Sequence, residues 1–346
     1  MDWFEKIFHF KEPSSHKALF QRLELIQKAG QYFLKTKGQD SVVQVGTLEI
    51  PTLAQLRQKY RQLEQAHPTI PKNTTLHEIV ADVQKLHLAQ ENKGAMFQVA
   101  SQVNLLEMAS PRATPEDGVT IYWYDRTQGP ACAIAAGAGT VYRNYFHTFS
   151  DGQQGQTAKQ QINTLDELHH KLTHLMNEEQ SLWQTQNGYV FPSDEQLQKL
   201  NHFLTHLNET QLDELRALCK IGFQWDTQVT LAKEDMIHVN QAYCSAMPLG
   251  YHRSKPELWE PFARLVLEAA YESVLIGAAC RALQGGSRKV FLTTIGGGVF
   301  ANPDPWIYAA IRRALDLFPE VGLEVYMVSY GTSRQSTQEL IHSWTV

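Results

Sequence analysis

Phe291-Leu-Thr-Thr-Ile-Gly-Gly-Gly-Val-Phe300, continued by Ala-Asn-Pro-Asp-Pro-Trp306 and a helical pattern, reads as a buried strand, a bare glycine turn and a helix start. Three consecutive glycines reach backbone angles closed to other residues and let a ligand approach main-chain N–H groups, while the helix start adds a partial positive charge. Such a turn suits an anion, phosphate being the natural candidate; a tight strand-to-helix connection without a ligand is the alternative. The segment lacks the Lys-Ser/Thr ending of a nucleotide-binding loop and is not a G-x-G-x-x-G turn, so the usual nucleotide-loop signatures are not met.

Outward from that turn, apolar runs and helical patterns alternate. Upstream, His238-Val-Asn-Gln-Ala-Tyr-Cys-Ser-Ala-Met247 reads as a strand and Pro256 to Leu283 as a helix; downstream, Leu323-Glu-Val-Tyr-Met-Val-Ser329 reads as a final strand. Strands alternating with crossover helices imply an α/β domain, its sheet covered by helices on both faces and its ligand sites beyond the strand ends. Earlier in the chain, Ala95-Met-Phe-Gln-Val-Ala-Ser-Gln-Val-Asn104 looks like a strand entering a loop, and Gly118-Val-Thr-Ile-Tyr-Trp-Tyr-Asp125 like a second extended run. The small-residue stretch from Ala131 to Tyr145 suits a helix packed closely on a sheet or a ligand.

The first 94 residues are rich in Gln, Lys, Glu and Leu, with helical spacing in Leu19, Leu23, Ile26 and in Leu56, Tyr60, Leu63, and Thr75-Leu-His-Glu78 has the form of a capping box. They read as a helical N-terminal region. Residues 150–226 are again Gln-, His- and Leu-rich, with helix starts at Thr164-Leu-Asp-Glu167 and Ser193-Asp-Glu-Gln196, and read as a helical insertion. The expected division is therefore a helical region 1–94 and an α/β domain 95–346 interrupted by the insertion 150–226.

A chain of 346 residues with 43% hydrophobic residues has enough material for a full core. Its four cysteines, Cys132, Cys219, Cys244 and Cys280, form no C-x-x-C pair, which argues against a zinc ribbon or a disulfide framework and fits a reducing compartment. A net charge of −5 with dispersed basic residues argues against general nucleic-acid binding. No apolar run approaches the roughly 20 residues of a membrane helix, and the opening Met1-Asp-Trp-Phe-Glu lacks the character of a secretory signal.

The densest polar constellation joins Ser101-Gln-Val-Asn-Leu-Leu-Glu107, Pro115-Glu-Asp-Gly-Val-Thr120 and Tyr124-Asp-Arg-Thr-Gln-Gly-Pro130. Asp117 and Asp125 flank one segment and are candidates for paired carboxylates that activate water and stabilise an oxocarbenium-like carbon; the alternative makes each a turn or cap residue. Gln128-Gly129-Pro130 offers a second place for backbone to meet a phosphate. Asn104 and Glu107 suit hydrogen bonds to a ribose hydroxyl, an amide or a base edge, or equally to loop backbone. Arg143 and Asn144 stand outside the candidate site, a surface salt bridge being as good a reading as phosphate contact. His170 and His174 lie one helical turn apart but have no accompanying metal motif, so a solvated face is expected and no metal. Cys244-Ser245 lacks nucleophile-elbow glycines and reads as buried structure. Trp225, Trp306 and Tyr330 are aromatic candidates for stacking on adenine or for the core.

With these pieces in order, the chain resembles the macrodomain superfamily, and within it the divergent group of poly(ADP-ribose) glycohydrolase-like proteins that includes secreted bacterial effector hydrolases. Phe97-Gln-Val-Ala-Ser-Gln-Val-Asn-Leu-Leu-Glu-Met108 looks like the first ligand-side strand of that group. Thr114-Pro-Glu-Asp-Gly-Val-Thr120 and Asp125-Arg-Thr-Gln-Gly-Pro-Ala-Cys-Ala133 look like its catalytic loop, and Ile295-Gly-Gly-Gly-Val-Phe-Ala-Asn302 like its diphosphate loop. The resemblance covers residues 95–149 and 227–335. It implies a three-layer α/β/α mixed sheet that binds ADP-ribose across its carboxyl edge without metal or cofactor. Asp117 and Asp125 are implied as catalytic residues; Thr127, Gln128, Gly129, Gly296, Gly297, Gly298, Val299, Phe300 and Asn302 as ligand contacts, with Phe300 also under the distal ribose; and Asn104 and Glu107 as further contacts.

The paired glutamates of poly(ADP-ribose) glycohydrolases proper are missing where Ala131-Cys-Ala-Ile-Ala135 stands, and their catalytic three-glycine run is replaced by Gln128-Gly129-Pro130. Removal of a single ADP-ribose from an ADP-ribosylated protein is therefore the implied activity, a non-catalytic ADP-ribose reader the alternative. The insertion is a candidate for recognising the modified protein. The implied location is the cytoplasm or, without a cleaved signal, the cytosol of a host cell.

Overall fold

The computed structural model describes residues 1–67, 72–232 and 236–344. The first part of the chain forms α1 (Trp3–Phe8), α2 (His16–Arg22), β1 (Leu23–Lys28), β2 (Gln31–Thr36), β3 (Val42–Glu49), α3 (Leu53–Ala66), β4 (Thr75–Val80) and α4 (Val83–Leu88). The middle forms β5 (Met96–Ala100), α5 (Gln128–Ala135), α6 (Gly137–Val141), α7 (Asp166–Leu175), β6 (Gln184–Gln186), β7 (Tyr189–Phe191), α8 (Asp194–Thr205) and α9 (Glu209–Arg216). The last part forms β8 (Gly222–Gln228), β9 (His238–Cys244), α10 (Pro256–Leu283), β10 (Lys289–Leu292), α11 (Asp304–Asp316), β11 (Glu324–Ser329) and α12 (Gln335–Ser343).

Nine strands form one mixed sheet in the order β1-β2-β3-β8-β9-β5-β10-β11-β4. From β9 to β4 the neighbours are parallel, and from β1 to β9 they are antiparallel. Alternation along the strands separates two cores. Met96, Ala242, Cys244, Val290, Leu292, Val325 and Met327 point to the face covered by α10, which packs on α3, α8, α9 and α11. Phe97, Val99, Val239, Tyr243 and Phe291 point to the other face, where Cys132 of α5 meets them. The helix expected from Pro256 to Leu283 has those bounds, with proline at its first turn, where a missing N–H costs nothing. The sheet with helices on both faces is thus the α/β arrangement expected.

The N-terminal region departs from its helical expectation. Besides α1 to α4 it supplies four of the nine sheet strands. Leu23 and Ile26, spaced as for a helix, lie on β1, which turns into β2 through Ala29 and Gly30, both with positive φ, the geometry of a two-residue hairpin. Thr75-Leu-His-Glu78 is not a capping box but the start of β4, because six parallel pairings to β11 outweigh a local cap. Gly118–Asp125 is not extended either: residues 115–117 and 120–124 wind into short 3₁₀ turns. In the insertion Ser193 caps α8 at the expected helix start, while α7 begins at Asp166 without a cap from Thr164; α9 and the β6–β7 hairpin are additional, and the last residues, from Gly222, belong to the main sheet as β8. Among the described residues no helix is long and apolar enough to cross a membrane.

Candidate active site

The five parallel strands end on one side, and the loops leaving them enclose a cavity of about 740 Å³. Its walls come from the loops after β4, β5, β9, β10 and β11 and from the start of α5.

The glycine turn after β10 forms one wall, through Gly296, Gly298, Val299 and Phe300. Gly296 has φ +78, and a Cβ there would lie 2.5 Å from that of Ala246, so only glycine closes this turn. Asn302 braces it from behind: its Nδ2 donates to Met247 O at 2.8 Å and its N–H to Gly296 O at 2.9 Å. Among the described residues the N–H groups of Gly296, Gly298, Val299 and Phe300 have no protein acceptor. Four amides in one largely exposed turn are thus open to water or to an anion. The expected help from the following helix is weaker, since α11 begins only at Asp304 and carries that carboxylate in its first turn. The better-placed helix start is that of α5, which has no acidic residue in its first turn and lines the cavity with Gln128 and Gly129.

Opposite stands the turn after β5. Gln102 closes it by accepting from Met108 N–H at 2.7 Å and donating to Met108 O at 3.3 Å, and Leu105 at its tip sits at φ +62. The turn lifts Glu107 into the cavity, and the Glu107 N–H donates to the buried Tyr122 Oη at 3.1 Å. Glu107 is only 6% exposed, and its Oε1 has no hydrogen-bond partner. Burial lifts its carboxyl well above the usual carboxylate range; the Arg143 cation opposes that rise and the Asp125 carboxylate adds to it. Gly129 is required beside it, because a Cβ would come within 2.1 Å of Ala100 O and 2.4 Å of Glu107 Oε2.

Asp125 lines the same cavity, half-exposed, with Oδ1 accepting from Thr127 N–H at 2.9 Å. The segment before it is pinned by Glu12, which accepts from the N–H groups of Val119 and Thr120 at 2.8 Å and from Tyr145 Oη at 2.7 Å. A buried carboxyl raised above its usual range and a half-exposed carboxylate thus border the same cavity.

Several expected site residues lie elsewhere. Asp117 does not line the cavity; it is exposed, and its Oδ2 caps Thr114 N–H at 2.8 Å within a 3₁₀ turn. Asn104 is fully buried behind the turn, donating to Gln161 and accepting from Leu106 N–H. Asn302 acts as the brace described above, and Gly297 is exposed and does not line the cavity. Gln128 borders the cavity, but its amide ties α5 to β5 through Gln98 O at 2.7 Å and Ala100 N–H at 3.0 Å. Thr127 borders it with Asp125. Trp225 and Trp306 are core residues, whereas Tyr330 is 82% exposed at the cavity rim. His170 and His174 lie on a solvated helix face, and Cys244 is buried. Arg143, which reads equally as a phosphate contact or a surface salt bridge, is 1% exposed.

Other lining residues were not expected. Tyr189 and Tyr251 stand with Phe300 in an aromatic wall, ring centroids 5.6 Å and 5.9 Å from it. Tyr189 arrives on the β6–β7 hairpin, whose Asn187-Gly188 turn is the sequence signal that marks it. Asp82 and Gln84 border the cavity at the β4 end, and Arg334 reaches Thr294 Oγ1 there at 3.2 Å. Glu78 holds the segment leading to Arg334; burial works to raise its carboxyl, yet hydrogen bonds from Ser329, Ser333, the Arg334 N–H and Gln338 hold it down at about 2. Among the described residues no group of three or more His, Cys, Asp or Glu is placed to hold a metal.

No protein-family model matches the sequence, and no curated protein matches it. Among solved structures, the chain is similar to poly(ADP-ribose) glycohydrolase from Deinococcus radiodurans in complex with ADP-ribose, with a TM-score of 0.44 and 12% identity over 85% of this chain and 92% of that one. It is also similar to poly(ADP-ribose) glycohydrolase from Thermomonospora curvata, with a TM-score of 0.43 and 12% identity over 94% of this chain and 95% of that one.

Proposed function

We propose that the cavity binds ADP-ribose and hydrolyses the bond between its distal ribose and a protein side chain, releasing one ADP-ribose unit. The observation that carries this reading is that one cavity is lined by four turn residues whose amides have no protein acceptor, by a buried, unpartnered carboxyl and by a second, half-exposed carboxylate. A volume of about 740 Å³ suits a dinucleotide-sized ligand. The diphosphate lies on Gly296, Gly298, Val299 and Phe300 and at the start of α5. Adenine reaches Tyr330 and Asp82, and the distal ribose the aromatic wall of Phe300, Tyr189 and Tyr251.

In this mechanism Asp125 orients a water and takes one of its protons as the water oxygen bonds to the anomeric carbon. The bond from that carbon to the side-chain atom breaks, its electron pair stays with the side chain, and Glu107 delivers a proton there. Solvent then restores both carboxyls. The sequence Ala131-Cys-Ala-Ile-Ala135, where a glutamate pair stands in polymer-cleaving relatives of the resembled group, favours single units over polymer as substrate.

The test is incubation with a mono-ADP-ribosylated protein and quantification of free ADP-ribose, for the wild type and for Asp125→Asn and Glu107→Gln. Release by the wild type and its loss in both variants is expected. Tight ADP-ribose binding with no release from any linkage replaces hydrolysis by a reader function.

A further inference from the structure

Arg143 carries a permanent charge, is 1% exposed, and forms no ion pair with a carboxylate among the described residues. A cation buried in this way is ordinarily matched by an acid, because desolvation is otherwise uncompensated. Three neutral acceptors hold it instead. Its Nε donates to Leu105 O at 3.1 Å, Nη1 to Gln224 Oε1 at 3.2 Å and Nη2 to Thr140 Oγ1 at 3.1 Å. Its guanidinium carbon lies 3.6 Å from the centroid of the Tyr243 ring, a cation–π contact.

The carbonyl it holds belongs to the one residue of the 102–108 turn with positive φ, Leu105 at +62, a conformation a leucine keeps only when its surroundings over-determine it. Two residues later comes Glu107, whose Oε1 is buried without a partner. The guanidinium therefore lies beneath the turn that presents the acid, bound to its strained corner and close enough to act on its charge.

We propose that Arg143 is a positioning residue for hydrolysis: it fixes the 102–108 turn from below and so aims the Glu107 carboxyl at the leaving atom. This rests on the hydrolytic reading of Glu107. The groups facing Glu107 are Arg143, the Asp125 carboxylate, the phenols of Tyr122, Tyr189 and Tyr243, and the Cys132 thiol. Burial pushes the phenols and the thiol up, so they stay neutral through the working range. Arg143 is then the only positive charge acting on the acid among these groups, and it opposes both burial and Asp125.

The experiment compares Arg143→Lys, Arg143→Met and Glu107→Gln with the wild type by kcat, KM and the pH dependence of kcat/KM on a mono-ADP-ribosylated protein. Glu107 works in its protonated form, so it sets the alkaline limb. Arg143→Met is expected to lower kcat about tenfold or more, to raise the alkaline limb by about one pH unit, and to leave KM within about threefold. Arg143→Lys, which keeps the charge and loses the fork, is expected to lower kcat with the limb in place. An Arg143→Met enzyme with wild-type kcat and pH profile overturns the inference; if that variant does not fold, wild-type kcat in Arg143→Lys overturns it. Full turnover by Glu107→Gln would defeat the underlying reading, and the inference with it. An inactive Glu107→Gln beside wild-type Arg143 variants sinks the inference alone.

Discussion

Glu107→Gln separates activity from stability in opposite directions. The substitution keeps the shape of the side chain but removes the transferable proton. General acid assistance contributes about 10²- to 10⁴-fold, so turnover is expected to fall by that factor, equivalent to about 3–5 kcal/mol of barrier. Stability has its own sign. The folded carboxyl titrates well above the ordinary 4.5, so below that value both states hold the proton and nothing is lost. As the pH rises through the window between 4.5 and the folded value, the unfolded chain ionises while the folded one does not, and the wild type loses about 1.4 kcal/mol per pH unit. Glutamine cannot ionise and escapes this loss. At about 2.1 cal/mol/K of unfolding entropy per residue over 346 residues, the Tm of Glu107→Gln should gain on that of the wild type by about 2 °C per pH unit across the window. The assays are ADP-ribose release and differential scanning calorimetry from pH 4 to 8. A Tm difference independent of pH would refute the buried-acid reasoning, and wild-type release would refute the role in hydrolysis.

Other substitutions address separate parts of the site. Gly129→Ala should lower turnover about 100-fold or more, measured under saturating substrate, because its Cβ collides with Ala100 O and displaces Glu107. Gly298→Ala, where no protein atom lies within 4 Å, should leave the melting temperature within a degree or so but weaken ADP-ribose about tenfold in calorimetry, whereas Gly296→Ala should destabilise the fold itself. Asp117→Ala is expected to keep turnover within about threefold and to cost about 1 kcal/mol of stability in chemical denaturation, since it removes a cap and touches no ligand; a 100-fold loss of turnover would restore Asp117 to the site. Tyr330→Ala should weaken binding by about 1–3 kcal/mol if the exposed ring stacks on adenine, and an unchanged affinity measured by calorimetry would remove it from the subsite.

The centre of the parallel half was legible because β5, β9 and β10 are buried on both faces, whereas the partly exposed edge strand β4 was missed. Runs such as Phe291–Leu292, Val325–Met327 and Ala95–Phe97 stay apolar whatever their neighbours, and α10 announces itself by length and a first-turn proline. The antiparallel extension was not. On β1 to β3 the burial pattern is mixed, so Leu23 and Ile26 satisfied a helical period as readily as a strand one, and only pairing with distant β8 decides the matter. Within the site, Gly296 was readable as a glycine because its φ of +78 is a local backbone need, whereas the need for Gly129 comes from a tertiary approach to Ala100 O and Glu107. The different settings of the acids were not readable, because they depend on which one folding buries. Asp117 and Glu107 are both acids in polar loops, and only the turn closed by Gln102 carries Glu107 inward while Asp117 stays at the surface. Arg143 was hidden for the same reason, its partners Leu105, Thr140 and Gln224 being spread over more than eighty positions.

The most direct measurement is a crystal structure of Glu107→Gln with bound ADP-ribose. The expected density places the diphosphate within hydrogen-bond distance of the N–H groups of Gly296, Gly298, Val299 and Phe300, with the anomeric carbon about 3–4 Å from a water held by Asp125 and beside residue 107. ADP-ribose bound with its diphosphate off the glycine turn, or with its distal ribose at the Tyr330 end away from both carboxyls, would contradict it.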